Sequence, residues 1–154
     1  MWFFKSSVPI ADSGILHGMT DCHSHLLPGV DDGVKTEEET WRILDEMERQ
    51  GVRKVWLTPH IMEDMPNETA ALQQKFLRLK QKYQGKVELA LAAEYMLDNL
   101  FEERLEKDDL LPLEEGKRYL SGNFLFQSTN GATVYFATHP KKRLLSIVGP
   151  SGTV

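Results

Sequence analysis

One stretch constrains this chain more than any other: Asp21-Cys22-His23-Ser24-His25-Leu26-Leu27-Pro28-Gly29-Val30-Asp31-Asp32-Gly33. Side chains on a β-strand alternate between faces. Asp21, His23 and His25 therefore share one side, and Cys22 and Ser24 take the other. Imidazoles gathered on one side of a strand end can bind a divalent ion through their ring nitrogens. Pro28-Gly29 then stops the strand with a turn. Asp31 and Asp32 follow on a loop, from which a carboxylate can swing back over the ion. His-x-His alone is common as a surface accident or a satisfied core pair. Asp-x-His-x-His with Asp-Asp-Gly close behind is much harder to obtain by chance, and it points to a metal site.

The segments that follow alternate between helix and strand. Thr36-Glu37-Glu38-Glu39 reads as a capping box, with Thr36 as N-cap and Glu39 reaching back. Trp41, Leu44 and Met47 then share a face, with Ile43 beside Met47, and Gly51 ends this amphipathic helix. Val52 to Thr58 alternates as a strand and runs into Pro59-His60. Asn67 is placed to cap a second helix, in which Leu72, Phe76, Leu79 and Tyr83 recur at helical spacing before Gly85. Lys86 to Ala93 reads as a third strand running into Glu94. A shorter helix follows over about Asn99 to Lys107, and a fourth strand begins at Tyr119.

Strands alternating with crossover helices imply an α/β fold with parallel strands, in a barrel or an open sheet. The candidate chemical residues recur at one place in each unit: His23 and His25, then His60, then Glu94, each at or near a strand's C-terminal end. In α/β barrels that end carries the active site. Taken singly, His60 reads as a loop or capping histidine and Glu94 as a solvated strand end. Together the four mark one end of the sheet.

Composition narrows the setting. The 154 residues carry a formal charge of -5, which gives no reason to expect nucleic acid or an acidic membrane surface as partner. The single cysteine, Cys22, permits no internal disulfide and fits a reducing cytoplasm. Facing away from the histidines, it reads as a small buried hydrophobe. Trp2-Phe3-Phe4 is too short for a signal-peptide core or a membrane span. It is expected to pack on the domain or on a neighbouring copy, which makes a homo-oligomer one expectation.

These motifs resemble the polymerase-and-histidinol-phosphatase (PHP) superfamily. More closely, they are similar to its bacterial protein-tyrosine phosphatase branch found with capsule and exopolysaccharide operons, the CpsB/YwqE type. The resemblance runs through Asp21-Cys22-His23-Ser24-His25, Asp31-Asp32-Gly33, Thr58-Pro59-His60-Ile61-Met62 and Ala92-Ala93-Glu94-Tyr95-Met96-Leu97-Asp98, and covers nearly everything from Gly18 to Leu120. It implies a distorted, TIM-like (β/α) barrel with a cluster of divalent metals at its C-terminal face. The metal would be manganese, with iron or zinc as alternatives. His23, His25, Asp32, His60 and Glu94 would be ligands, Glu94 bridging. The implied reaction is hydrolysis of a phosphate monoester, which is slow without a catalyst and is assisted by metals that bind the phosphate and make hydroxide available near neutral pH. The implied partner is a phosphotyrosine protein, a tyrosine kinase of polysaccharide export, in the cytoplasm. Another PHP phosphoesterase, such as a histidinol-phosphatase-like enzyme, is the enzymatic alternative. Ala92 to Asp98 favours the phosphotyrosine branch.

Beyond Leu120 the resemblance stops. The family continues with a strand like LVETSFFNPPM and, later, one ending AHPERY. The latter supplies a further ligand histidine and an arginine suited to phosphate. This chain reads Ser121-Gly122-Asn123-Phe124-Leu125-Phe126-Gln127-Ser128-Thr129-Asn130 instead. A constant shift of reading frame, applied to codons permitted for these residues, recovers VETSFFNPPM from Ser121 onward. The same shift recovers YYPLLAHPERY from Leu144 to Val154, given one added pyrimidine. Residues 1–120 are thus expected to form the N-terminal part of an incomplete PHP barrel. Residues 121–154 are expected to be an out-of-frame tail, irregular or marginally packed, apart from a short strand near Thr133 to Ala137. His139 is not expected to join His23, His25 and Glu94. On this reading the phosphate-binding arginine is lost, and the chain is a metal-binding fragment without turnover.

Overall fold

The computed structural model describes residue 9, residues 13–96 and 98–113, and the backbone of residues 119–123, 134–139 and 142–148. The expectation for Trp2-Phe3-Phe4 lies outside the described residues. Element order is β1 (Thr20–Ser24), α1 (Glu37–Arg49), β2 (Lys54–Leu57), β3 (His60–Ile61), α2 (Thr69–Lys82), β4 (Glu88–Leu91), β5 (Glu94–Met96), α3 (Asn99–Lys107), β6 (Tyr119–Asn123), β7 (Val134–His139) and β8 (Lys142–Val148). The predicted alternation of strand and helix is borne out up to β6.

The helices begin and end for local reasons. Thr36 caps α1 in the predicted box: its hydroxyl accepts from Glu39 N at 3.2 Å, and the Glu39 carboxylate accepts from Thr36 N at 3.2 Å. At the other end the backbone turns left-handed at Gly51 (φ 85). The N–H groups of Gly51 and Val52 then satisfy the carbonyls of Glu48 and Met47, which closes a Schellman motif. A Cβ at Gly51 would lie 2.8 Å from the His17 ring, so glycine is required there twice over. Thr40 and Leu44 form the buried stripe of α1.

The second helix differs from expectation at both ends. Glu68, not Asn67, is its N-cap, and it makes no side-chain capping bond. Asn67 instead spends its amide on the carbonyls of Val30 (2.8 Å) and His60 (2.9 Å). The helix stops at Lys82 because Tyr83 turns extended (ψ 127), two residues before Gly85. The predicted core face of Leu72, Phe76 and Leu79 is buried. Asp98 caps α3 by accepting from Phe101 N at 2.8 Å.

Strands that read as continuous in the sequence are each broken once. Val52 to Thr58 contributes β2, and the chain resumes as β3 after Thr58-Pro59. Lys86 to Ala93 contributes β4, and the chain resumes as β5 after Ala92-Ala93. One parallel sheet runs β1-β2-β4, and a second runs β3-β5-β6-β8-β7, antiparallel only at β7-β8. Hydrogen bonds stitch the breaks: Thr58 N to Ser24 O, Ala92 N to Leu57 O and Glu94 N to Pro59 O. Leu27, Leu44, Val55, Leu57, Leu79 and Tyr95, all at most 1% exposed, are centred in the core between helices and strands.

Beyond Leu120 the backbone is more regular than expected. β6 continues to Asn123, and β7 and β8 form a hairpin that adds to the sheet through a parallel β6–β8 pairing. The apolar and β-branched residues at 134–136 and 144–148 favour extended backbone by themselves. The short predicted strand at Thr133 to Ala137 corresponds to β7. Cys22 is also corrected: its place on the edge strand β1 leaves the thiol exposed rather than buried.

Candidate metal centre

Four of the five predicted ligands come from strand ends and one from a loop, and the structure brings all five together. His23 is on β1 and His25 just beyond it. His60 and Glu94 begin β3 and β5, where they are paired in register. Asp32 is in the loop after the Pro28-Gly29 turn. His23, His25 and Glu94 each offer one donor atom within 4.8 Å of the others, and so do His25, Asp32 and His60. His25 belongs to both groups.

Glu94 is the centre of the cluster. Its side chain is 1% exposed, and its Oε2 lies 3.5 Å from His23 Nε2, 3.2 Å from His25 Nε2 and 3.1 Å from His60 Nδ1. Despite these short distances, neither carboxylate oxygen has an aligned hydrogen-bond donor, and His60 Nδ1 is likewise buried without a partner. A buried carboxylate served only by poorly aligned imidazole contacts is costly, and a partner shared by all of them would satisfy it better. The spacing suggests what that partner is. The His23, His25 and Glu94 donors are 3.2 to 3.5 Å apart pairwise. Ligands held about 2.1 Å from one cation at tetrahedral or octahedral angles are separated by about 3.0 to 3.4 Å. The trio fits a single divalent ion.

The electrostatics agree. Burial opposes ionisation of Glu94, but the imidazoles of His25 and His60 outweigh it and hold the carboxyl at about 2. Burial pushes His23 below its ordinary value against the opposing pull of Glu94, and so favours the neutral ring. The hydrogen bond to Asp31, reinforced by Glu94, raises His25 to about 10. Glu94 also raises His60.

Two supporting residues were not singled out as site residues in the sequence. Asp31, with a side chain 0% exposed, accepts from His25 Nδ1 at 2.9 Å. Thr58 is buried with its Oγ1 3.4 Å from His23 Nδ1, and it accepts from Ser24 N at 3.1 Å. The run Asp31-Asp32-Gly33 carried a signal for a carboxylate near the ion. Which of the two would face solvent and which the imidazole depends on the loop's path, which the sequence does not display. The path is set by Gly33, where a Cβ would sit 2.3 Å from the His25 carbonyl oxygen. Asp32 remains exposed, its Oδ1 3.3 Å from His60 Nε2. Asp21, expected on the histidine face, turns back to accept from His23 N at 3.0 Å, where the β1–β2 register is irregular.

The chain as a whole is similar to known proteins. The profile of the family "Capsular polysaccharide synthesis, CpsB/CapC" matches residues 19–130, running past Leu120. The chain belongs to this family. The tyrosine-protein phosphatase CpsB of Streptococcus pneumoniae is 36% identical over 107 residues, which is 64% of this chain and 42% of that protein. Its counterpart from Streptococcus agalactiae serotype V is 47% identical over 47 residues, 30% of this chain and 19% of that one. A solved structure described as "Crystal structures of YwqE from Bacillus subtilis and CpsB from Streptococcus pneumoniae, unique metal-dependent tyrosine phosphatases" superposes with a TM-score of 0.62 at 28% identity. The superposition covers 73% of this chain and 47% of that one. The chain therefore spans less than half the length of these members of the CpsB/CapC family. Among the described residues, no helix is long and apolar enough to cross a membrane.

Proposed function

We propose that this chain is the N-terminal part of a metal-dependent protein-tyrosine phosphatase of capsule or exopolysaccharide synthesis, acting in the cytoplasm on a tyrosine kinase of polysaccharide export. The observation that carries the reading is the convergence of His23, His25 and Glu94 at single-ion spacing, with the buried Glu94 carboxylate lacking an aligned hydrogen bond. His23, His25, Asp32, His60 and Glu94 are the proposed ligands of a divalent cluster, manganese first, with Glu94 placed between the two donor groups. Divalent ions bound there would neutralise a phosphate monoester and activate water for attack on phosphorus. The residues supply the rest: Glu94 offsets cationic charge, and Asp31 and Thr58 fix the rings of His25 and His23.

The fold proposed for the parent protein is a distorted (β/α) PHP barrel, of which residues 1–120 form the first part. Residues 121–154 are proposed as an out-of-frame continuation, supported by the two family motifs recovered with one shift. Genomic DNA spanning Leu120 in an unbroken frame, confirmed in the transcript, would remove this part of the proposal.

The test of function is hydrolysis of phosphotyrosine peptides by the frame-restored protein with Mn2+. His23 and His25 both changed to Ala should abolish turnover. Equal turnover with and without the two histidines would refute the reading, and preference for histidinol phosphate would favour another PHP phosphoesterase. A second reading, metal binding without turnover, applies to the 154-residue chain itself. It is favoured by His139, whose strand β7 is separated from the Glu94 strand β5 by β6 and β8, roughly 14 Å away at about 4.8 Å per strand. Robust Mn2+-dependent turnover by this chain would exclude it.

A further inference from the structure

We propose that Asp31 is a positioning residue that couples the two donor groups, because one buried carboxylate holds both the ring of the shared ligand and the backbone of a ligand from another strand. This rests on the metal reading above. Asp31 Oδ2 accepts from His25 Nδ1 at 2.9 Å and from the backbone N–H of His60 at 3.2 Å, while Oδ1 accepts from Gly33 N at 3.0 Å. Occupying His25 Nδ1 leaves Nε2 as the ring nitrogen facing His23 and Glu94, the atom that would bind an ion. Holding His60 N fixes the start of β3 against the loop that carries Asp32.

Asn67 closes the arrangement from the other side. Its Nδ2 donates to His60 O and to Val30 O. The His60 backbone is thus gripped at N by Asp31 and at O by Asn67, and both grips lead to the same loop. The two grips differ in reach. Asp31 touches His25, which both donor groups share, whereas Asn67 touches only the side of His60 and Asp32. Loss of Asp31 should disturb both groups, and loss of Asn67 only one. Asn at position 31 cannot replace Asp, since one amide oxygen cannot serve both Gly33 on one side and His25 with His60 on the other.

The full chain, 15N-labelled at histidine, tests this in two ways. In metal-free protein, ring N–H spectra should show a His25 Nδ1–H signal protected from solvent exchange. That signal should be lost in D31A, shifted or weakened in D31N, and retained in N67A and D32N. A merely structural role would lower stability without this selectivity. In equilibrium titrations with Mn2+, D31A should bind about 10- to 100-fold more weakly than wild type and more weakly than D32N, which removes one donor from one group. N67A should weaken binding no more than D32N does. A His25 signal unchanged in D31A, or D31A binding Mn2+ as well as D32N, overturns the proposal. Should D31A fail to fold, D31N decides: a wild-type signal and wild-type affinity there overturn it. If wild-type chain binds no Mn2+, the metal reading falls, and the ring signal alone decides the positioning role.

Discussion

Replacing Glu94 by Gln should destabilise the metal-free protein by about 3 kcal/mol at pH 6, and the loss should shrink toward zero near pH 2. The direction is not obvious, because Glu94 is fully buried and neither oxygen has an aligned donor. Removing such a charge often stabilises a protein. Here the neighbouring imidazoles win: despite burial they hold the carboxyl at about 2 instead of 4.5. At about 1.4 kcal/mol per tenfold change in proton affinity, that difference is worth about 3 kcal/mol. A carboxyl depressed in the folded state contributes its stability above its unfolded pKa. The contribution is lost as pH falls from 4.5 through about 2. Gln reproduces the neutral form at all pH values, so wild type and variant should converge in acid. Urea denaturation in the presence of a chelator, at intervals from pH 6 to pH 2.5, measures the gap. A variant as stable as wild type at pH 6, or a gap that stays constant into acid, would refute the reasoning.

Other consequences follow from the same geometry. Because His25 is held at about 10 and must yield its Nε2 proton to bind an ion, Mn2+ affinity should rise about tenfold per pH unit between pH 6 and 8. Calorimetry in buffers of different ionisation enthalpy should record at least one proton released per ion. Gly33→Ala, whose Cβ would meet His25 O at 2.3 Å, should cost about 1–3 kcal/mol in thermal unfolding and weaken Mn2+ binding together with it. Arg104, 4% exposed, pairs with Asp109 and donates to Asn67 O. Asp109 is 39% exposed, so water can take over part of the lost pairing, and Arg104→Ala should cost about 1–3 kcal/mol in urea denaturation through its lost hydrogen bonds and packing.

Much of the site was legible because its residues obey local rules. Alternation along β1 put His23 and His25 on one side, and strand ends marked His60 and Glu94. A capping box does not depend on tertiary context, so the start of α1 at Thr36 read correctly. What escaped depends on contacts distant in sequence. Asn67 looks like a cap because asparagine favours that position, yet the carbonyls of Val30 and His60 compete for its amide and win. Asp31 and Asp32 are chemically identical, and only the close approach of Gly33 to His25 buries one and exposes the other. Cys22 read as buried, but alternation does not say whether either face of an edge strand is covered, and its thiol is exposed.

The breaks in the strands explain why the donors meet. An unbroken β2 would keep His60 in the sheet that pairs with β1, beside the strand that ends at Ser24. Pro59 has no N–H and cannot donate to a ladder, so the chain leaves the first sheet at Thr58 and re-enters pairing at His60 with a new neighbour. Ala92 and Ala93, both 0% exposed, make the matching step on the adjacent strand, where small side chains let the backbones stay close. The donors stand one residue past each break, still in register as His60 opposite Glu94, and directed over the end of β1 where His23 and His25 emerge. Backbone pairing thus fixes His60 and Glu94 as rigidly as any sheet residue. Asp32 is different: its side chain is 76% exposed on a loop. If divalent ions bind as proposed, such a division would give one nearly fixed ion position around Glu94 and a second whose outer ligand can adjust. The second position should therefore be the weaker, and the more sensitive to the loop that Asp31 and Asn67 hold.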